Sequence, residues 1–278
     1  MQDGDSPAVP ARPAAPGKSA EPAGSASDTA GAGAGRLAEA GVTGAAGAVL
    51  GWYFGGLVHP VVGAVVAAIS GINGVVSGWR GVYGWRRHGL LAFVLDSTWA
   101  AVPVAGSLLA HAVGAASSPA GYEPSLSRRQ NRHVYRRGAR LKAGFAFTIG
   151  NVISGAGDVD GARRRRLITD HEDVHVWQAR WFGPFYLALY GAWAIGGVVA
   201  GWVLWMKRGR TASLSSMIES CSYYVNPFEW WAYSRDAHWP PPGKVHGVGW
   251  KRPAARPLAA LRRRKRQDPE PGPPSLDP

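Results

Sequence analysis

A run of 39 consecutive uncharged residues, positions 41–79, constrains the fold more than any other feature of this chain. A single helix of that length would measure about 58 Å, whereas the hydrocarbon core of a bilayer is about 30 Å thick. His59 and Pro60 lie near the middle of the run, and a proline bends or ends a helix. We therefore expect two membrane helices packed as a hairpin. A Gly-rich helix pair in water is the weaker alternative, because each helical glycine would destabilise it.

Glycines recur at intervals of three or four residues within this run. They are Gly44, Gly47, Gly51 and Gly55 in the first half, and Gly71, Gly74 and Gly78 in the second. Small residues at this spacing let two helix backbones approach closely in lipid. The pattern predicts close helix packing, either within the hairpin or between copies of the chain in a homo-oligomer.

A second apolar segment, residues 90–113, is long enough to span a bilayer but contains Asp96 and Pro103. An ionisable residue at membrane depth is by default a functional candidate. Asp96 is followed by Ser97 and Thr98, however, and all three residue types cap helices. We therefore favour a helix cap at the membrane interface over a functional role for Asp96.

The two ends of the chain differ in composition from the apolar segments. Residues 1–40 consist mainly of Ala, Pro, Gly and Ser and cannot bury enough apolar surface to fold, so we expect a disordered tail. Residues 240–278 are rich in proline and include the basic run 262–266. We expect this second tail to be disordered too, either solvated in the cytoplasm or in contact with anionic lipid.

The formal net charge is +13, and the first forty residues contribute none of the excess. Such a charge suits an anionic membrane surface, cytoplasmic loops of a membrane protein or nucleic acid. No nucleic-acid-binding motif accompanies it, so we expect membrane lipid and not nucleic acid as the partner. An anionic-lipid or nucleic-acid binder that uses residues 163–166 and 262–266 is the third-ranked hypothesis for function.

A short β-ribbon is predicted within the polar, basic region 114–180. Residues 144–149, GFAFTI, alternate between large apolar and small or polar side chains, as a half-buried strand does. Gly150 and Asn151 follow and favour a turn. We expect an edge strand here, paired with His133-Val134-Tyr135.

Residues 170–178, DHEDVHVWQ, contain the pattern His-Glu-x-x-His. On a helix His171 and His175 lie one above the other, so both imidazoles can bind one cation. Neutral imidazole suits Zn²⁺, whose catalytic sites take three protein ligands and leave one position open. Glu172 lies about 100° round the helix and can act as general base. Glu229, in the later segment NPFEWWAY, is the candidate third ligand.

This combination resembles the zinc site of gluzincin-type metallopeptidases. The likeness covers His171-Glu172-x-x-His175-x-x-Gln178 and Asn226-Pro227-x-Glu229-x-x-Ala232-Tyr233, within residues 143–236. It implies zinc bound by His171, His175 and Glu229, Glu172 as general base, and a peptide or protein substrate. The complete layout also resembles uncharacterised actinobacterial membrane proteins that have a Gly-rich hairpin ahead of the motif, and that likeness implies no activity.

Several side chains near Glu229 are candidates for a supporting role. Asp236 lies seven residues further on and could accept a hydrogen bond from a zinc-bound imidazole. The groups that could donate to a developing oxyanion are Tyr223, Tyr224, Tyr233 and His238. Packing in the core or against lipid is the stronger hypothesis for each of these donors.

Two carboxylates depart from the usual peptidase pattern. Asp173 lies between Glu172 and the second histidine, and Asp170 precedes the first. Added negative charge would raise the pKa of neighbouring acids and disfavour an anionic transition state. The added charge therefore favours a metal site that is structural or that catalyses a reaction slowly.

Residues 181–205 form the strongest membrane segment, because they are uncharged, flanked by basic residues and carry tryptophans near both ends. A single crossing would put His175 and Glu229 on opposite faces of the bilayer, where they could not share a metal ion. Basic loops on both sides favour the cytoplasm for both ends. We therefore predict a shallow or interfacial re-entrant hairpin with its apex at Gly196-Gly197. The competing hypothesis is a full span without a metal site.

The predicted fold is a mainly α membrane protein with disordered termini. The membrane hairpin region covers 41–113, and a small α+β zincin-like domain with a short β-ribbon covers 114–239, interrupted by 181–205. We expect the protein in the cell membrane, with its polar domain and C-terminal tail in the cytoplasm. The predicted function is that of a zinc-dependent, peptidase-like hydrolase. The alternative is a non-catalytic membrane scaffold whose His/Glu cluster is structural.

Overall fold

The computed structural model describes residues 26–116, 121–139, 144–245 and 247–267, which are mainly helical with one small sheet. The α-helices are α1 (Ala26–Gly56), α2 (Pro60–Trp79), α3 (Arg87–Ser97), α4 (Ala101–Ala116), α5 (Pro124–Ser127), α6 (Ala162–Arg166), α7 (Asp173–Phe182), α8 (Tyr186–Lys207), α9 (Leu214–Glu219), α10 (Pro227–Arg235) and α11 (Leu258–Gln267). The strands are β1 (His133–Val134), β2 (Phe147–Ile149) and β3 (Val152–Ser154). Two π-helical segments, Leu167–Glu172 and Ser220–Tyr224, and a 3-10 turn, Gly183–Phe185, complete the helical parts.

Helices α1 and α2 form the predicted hairpin, and the chain reverses at residues 57–59. Pro60 occupies the first turn of α2, and the His59 side chain caps it by accepting a hydrogen bond from the Val61 amide. The backbones approach so closely that a Cβ atom added to Gly51 would lie 2.8 Å from the carbonyl oxygen of Val66. These glycines therefore serve packing within the chain, and the expected homo-oligomer stays a prediction.

Both termini contain more helix than we expected. Helix α1 begins at Ala26, so the prediction of disorder over 1–40 is wrong for residues 26–40, because the hairpin extends the helix and Glu39 forms an ion pair with Arg129. Helix α11 lies inside the predicted tail 240–278, and Arg262 on it forms an ion pair with Asp170. Residues 1–25 and 268–278 lie outside the described residues.

We expected Asp96 to cap a helix, but it forms a buried ion pair instead. It lies in the last turn of α3, whereas a carboxylate caps the amide groups of a first turn. The Arg180 guanidinium on α7 donates from Nε to Oδ1 at 2.8 Å and from Nη2 to Oδ2 at 2.9 Å. The hydroxyl of Tyr83 donates to the same carboxylate at 3.0 Å. Asp96 thereby connects α3 to the helix of the His-Glu-x-x-His motif.

The sheet has the strand order β1-β3-β2. Strands β2 and β3 are antiparallel and joined by the predicted turn, where Gly150 has φ 54°. β1 pairs in parallel with β3 and not with β2, because the tight turn already brings β3 beside β2. The prediction of an edge strand is therefore confirmed for residues 147–149, while its predicted pairing with residues 133–135 is wrong.

Helix α8 runs without a break from Tyr186 to Lys207, so the predicted apex at Gly196-Gly197 is wrong. The chain returns instead through α9 and the π-helical segment Ser220–Tyr224, which pack against α8. Gly197 contacts the backbone of Cys221, and Gly201 contacts that of Ile218. Glycine in this helix makes room for the returning backbone instead of forming a turn. The return brings Glu229 back towards the beginning of α8.

Two helical stretches are long and apolar enough to cross a membrane, Pro60–Trp79 and the continuous helix Ala162–Lys207. Helices α3 and α4 meet at 90° and would count as a third span only if taken together. Large apolar side chains are exposed at the hairpin tip, where Leu57 is 84% and Val58 is 78% exposed. These features are consistent with association with a membrane, and the cytoplasmic orientation stays a prediction.

Candidate metal centre

His171 and His175 lie on one continuous helix that begins at α6 and passes through a π-helical segment into α7. The wider π-helical segment ends at Glu172, immediately after the first histidine. Both imidazoles are buried, and their Nε2 atoms lie 3.3 Å apart. The helix spacing in the sequence therefore predicted their shared face correctly.

Glu229 approaches the histidines from α10. Asn226 caps this helix by accepting a hydrogen bond from the Phe228 amide at 3.1 Å, and Pro227 occupies its first position. The cap fixes the first turn, where Glu229 is buried. Its Oε2 lies 3.4 Å from Nε2 of His171, and its Oε1 lies 3.4 Å from Nε2 of His175. The predicted third ligand thus joins the predicted pair.

The three side chains fit a metal ion, since one ligand atom from each lies within 4.8 Å of the others. Within the described residues, Oε2 of Glu229 is buried and has no hydrogen-bond donor, which a bound cation would compensate. Burial alone would raise the pKa of Glu229, yet the facing imidazoles lower that pKa well below its ordinary value. The carboxyl group is therefore ionised and able to ligate a metal ion.

Gln178 orients His175, and we did not predict this role from the sequence. Its Oε1 accepts a hydrogen bond from Nδ1 of His175 at 2.8 Å, while its Nε2 donates to the carbonyl oxygen of Phe228 at 3.0 Å. A proton held on Nδ1 leaves the Nε2 lone pair of His175 free for a cation. The signal was present, because Gln178 lies one helical turn after His175.

Tyr190 orients the carboxylate. Its hydroxyl donates to Oε1 of Glu229 at 2.9 Å from helix α8. The residue stands among apolar side chains in the sequence, so no local pattern indicated it. The contact shows that the return of the chain along α8 positions Glu229.

Glu172 does not join the three ligands but lines a cavity of about 350 Å³ beside them. Its Oε2 accepts a hydrogen bond from the Thr148 hydroxyl on β2 at 2.6 Å. Large aromatic side chains also line the cavity, among them Phe145, Phe147, Tyr190 and Tyr223. An acid, two candidate ligands and residues of the edge strand therefore share one mainly apolar space.

The additional carboxylates, Asp170 and Asp173, do not place uncompensated charge beside the site. Arg132 forms an ion pair with Asp173 at 2.5 Å, and Arg262 forms one with Asp170 at 2.8 Å. The expectation of extra negative charge is wrong, because each carboxylate is paired with an arginine. The sequence did not indicate these pairs, because both arginines are distant from the motif. The two carboxylates connect Arg132, the residue before β1, and α11 to the motif helix.

Asp236 does not contact a histidine of the site, contrary to our expectation. Its carboxylate pairs with Arg163 at 3.0 Å and lies 3.3 Å from Nδ1 of His238, because α6 and the chain after α10 bring these two side chains closer. Tyr233 packs its ring against His171, with centroids 4.5 Å apart. Burial, together with the nearby charge of Glu229, raises the pKa of Tyr233 above its ordinary value. Its phenol is therefore protonated.

Comparison with known proteins gives no family for this chain, because no family model, no curated protein and no solved structure matches it. The resemblance to gluzincins therefore rests on the motif residues. What the structure adds is the buried cluster of His171, His175 and Glu229, which could hold a metal ion.

Proposed function

We propose that this chain is a membrane-associated, zinc-dependent hydrolase of the peptidase type. The single observation that carries the proposal is the convergence of His171, His175 and Glu229 beside a cavity that Glu172 also lines. Two imidazoles and one carboxylate form a ligand set typical of catalytic zinc, which leaves a coordination position for water or substrate. When bound, Zn²⁺ would polarise a substrate carbonyl group and acidify water.

Glu172 is the proposed general base. Its carboxylate faces the same cavity as the ligands yet is absent from the ligand set, so it can accept a proton from attacking water. The same group then returns the proton to the leaving amine. The Thr148 hydroxyl holds one carboxylate oxygen of Glu172 in place. Gln178 and Tyr190 hold His175 and Glu229, respectively, so the proposed base and two of the three ligands have an orienting partner.

The proposed substrate is an extended polypeptide. Strand β2 lies at an edge of the sheet, and residues from it and from the preceding segment line the cavity next to Glu172. A peptide could pair with this edge by strand addition. Phe145, Phe147 and Tyr190 would favour a large apolar side chain beside the bond to be cleaved. The apolar helices would keep this site close to a membrane.

The proposal is tested on the purified full-length protein in detergent. Elemental analysis should find one zinc ion per chain, and the His175→Ala variant should lose it. A peptide library should be cleaved by the wild type but not by the Glu172→Gln variant, which should keep its zinc. Glu39→Gln, far from the cluster in the hairpin, is the matched control and should retain both properties. Unchanged cleavage by Glu172→Gln would remove Glu172 as the base.

A structural role for the cluster is the second candidate function. All three ligand side chains are almost completely buried, with exposures of 3%, 7% and 4%, and they join α7 to α10. In this case a bound metal ion would fasten the two helices of a membrane scaffold. Removal of zinc would then lower the melting temperature, while neither the wild type nor Glu172→Gln would cleave any peptide. The same pair of measurements therefore separates the two functions.

A further inference from the structure

A second, strongly basic cavity lies beside the helix that carries the histidines. Its volume is about 660 Å³, and its charged lining residues are Arg132, Arg165, Arg166, Arg262 and Asp173. The basic side chains come from three separate parts of the chain. Such convergence distinguishes the cavity from a single exposed basic run.

This cavity and the metal centre occupy different faces of one helix. Thr169 and Asp173 line the basic cavity, and each precedes a metal-site histidine by two residues. Two residues correspond to a rotation of about 200° on a helix. The basic cavity is therefore separate from the cluster of His171, His175 and Glu229.

The arginines exceed the available carboxylates. Arg132 pairs with Asp173, and Arg262 pairs with Asp170, which is not one of the lining residues. Arg165 and Arg166 are exposed and, within the part of the chain that the structure describes, their side chains make no hydrogen bond or ion pair. Among the described residues, neither guanidinium group therefore has a directly paired carboxylate, and Arg165 interacts with Asp160 only through Coulombic attraction without an ion pair.

Arg132 provides the buried side of this site. It is only 5% exposed, and among the described residues its Nε atom has no hydrogen-bond partner. Its Nη1 atom donates to Asp173, which holds the guanidinium in position. A buried, fixed guanidinium that lines the same cavity as two exposed ones without an ion pair is suited to recognise an anion with several oxygen atoms.

We propose that this cavity binds a phosphate-bearing anion. Guanidinium groups match the geometry of phosphate oxygens, and a doubly charged anion would compensate both Arg165 and Arg166. The cavity is larger than inorganic phosphate and therefore has room for an ester group. Two sources share this chemistry, a free phosphate compound in solution and the headgroup of an anionic phospholipid in the adjoining membrane.

The first arm of the test uses inorganic phosphate with the full-length protein in neutral detergent. Calorimetry should find one phosphate ion per chain. The double variant Arg165→Gln/Arg166→Gln should bind it at least about tenfold more weakly, since each lost contact is a charge-assisted hydrogen bond. The control Arg86→Gln/Arg87→Gln removes two charges from another exposed adjacent pair and should bind like the wild type.

The second arm uses nanodiscs of phosphatidylcholine with or without phosphatidic acid, and native mass spectrometry counts the lipid retained per chain. Retention of phosphatidic acid that is lost in the Arg165/Arg166 variant but not in the control would assign the site to a lipid headgroup. Binding of inorganic phosphate in the first arm alone would assign it to a free compound. The proposal is overturned if neither ligand binds, or if the control pair weakens binding as much as the cavity pair does.

Discussion

At the scale of single residues, Gln178 connects the two halves of the candidate metal centre. Its amide oxygen accepts from His175, and its amide nitrogen donates to the carbonyl group of Phe228, the residue before Glu229. One buried side chain therefore orients a ligand on α7 and ties it to the helix that carries the third ligand. Partners of this kind raise the affinity of a metal site without contacting the metal ion.

Replacing Gln178 with leucine should weaken zinc binding by about 10- to 100-fold, because the proton on Nδ1 of His175 loses its acceptor. Competition with a chelator of known affinity measures the change in the purified protein. Gln130→Leu replaces an exposed glutamine elsewhere and should leave the affinity unchanged. Equal zinc affinity in Gln178→Leu and the wild type would exclude an orienting role for this amide.

The sequence predicts the ligands of this site better than their partners. His171 and His175 follow from helix periodicity, and Glu229 follows from the Asn-Pro that begins its helix. Tyr190 could not be predicted, because its contact depends on how the chain returns along α8. Asp236 shows the same limit, since helix spacing did not indicate that Arg163 would be closer than a histidine.

At the scale of secondary-structure elements, the return of the chain along α8 decides whether Glu229 reaches the two histidines. Gly197 and Gly201 lie one turn apart on α8 and form a groove for the backbone of the returning segment. A Cβ atom added to Gly197 would lie 2.5 Å from the carbonyl oxygen of Cys221. The neighbouring Gly196 has open space at the same point.

The variant Gly197→Ala should therefore separate the return segment from α8 and destabilise the protein by about 1–3 kcal/mol, as overpacking does. Zinc content should fall as well, because the returning segment leads to Glu229 and its displacement would move this ligand away from the histidines. Gly196→Ala makes the same gain in helix propensity without the clash, so its melting temperature should be at least that of the wild type and its zinc content unchanged. Similar behaviour of the two variants in thermal melts would argue against close packing at Gly197.

The buried ion pair of Asp96 and Arg180 should hold α7 against α3. Arg180→Met leaves the carboxylate of Asp96 buried without its cation, and we expect a loss of about 3–5 kcal/mol in the free energy of unfolding. The double variant Asp96→Asn/Arg180→Met removes the stranded charge and should recover part of this loss. Chemical denaturation in detergent measures all three proteins. A double variant less stable than Arg180→Met would contradict the assignment.

The sequence predicts a secondary-structure element of this protein well when one local feature alone determines that element. The hairpin of α1 and α2 follows from the length of its uncharged run and from one proline. Gly196 and Gly197 were misleading, because glycine favours both a turn and close helix packing, and only the tertiary contact distinguishes them. The start of α1 was missed for a related reason, since an Ala/Gly-rich sequence becomes helical when it extends a packed helix.

At the scale of the whole molecule, polar segments that follow α8 in the sequence pack along one side of this helix. Lys244 forms an ion pair with Glu219 on the return segment, and Trp250 stacks on Trp193 of α8. If α8 crossed a bilayer upright, this ion pair would lie at membrane depth, where burial of charge is costly. The other side of α8 exposes apolar residues, with Ile195 72% exposed. We therefore expect α8 to lie along the membrane interface with its apolar side in the lipid.

This orientation predicts that a membrane-impermeant reagent labels the turn after α8 and the polar domain from the same side of the membrane. Cys221 is the one cysteine of the chain, so Cys221→Ser provides a background for single reporters at Arg210→Cys and Asp158→Cys, both at exposed positions. A membrane-impermeant maleimide should label both reporters in inside-out vesicles and neither in right-side-out vesicles. Permeabilised vesicles control for reactivity. Labelling of the two reporters from opposite faces would mean that α8 crosses the bilayer, because its 22 residues extend about 33 Å.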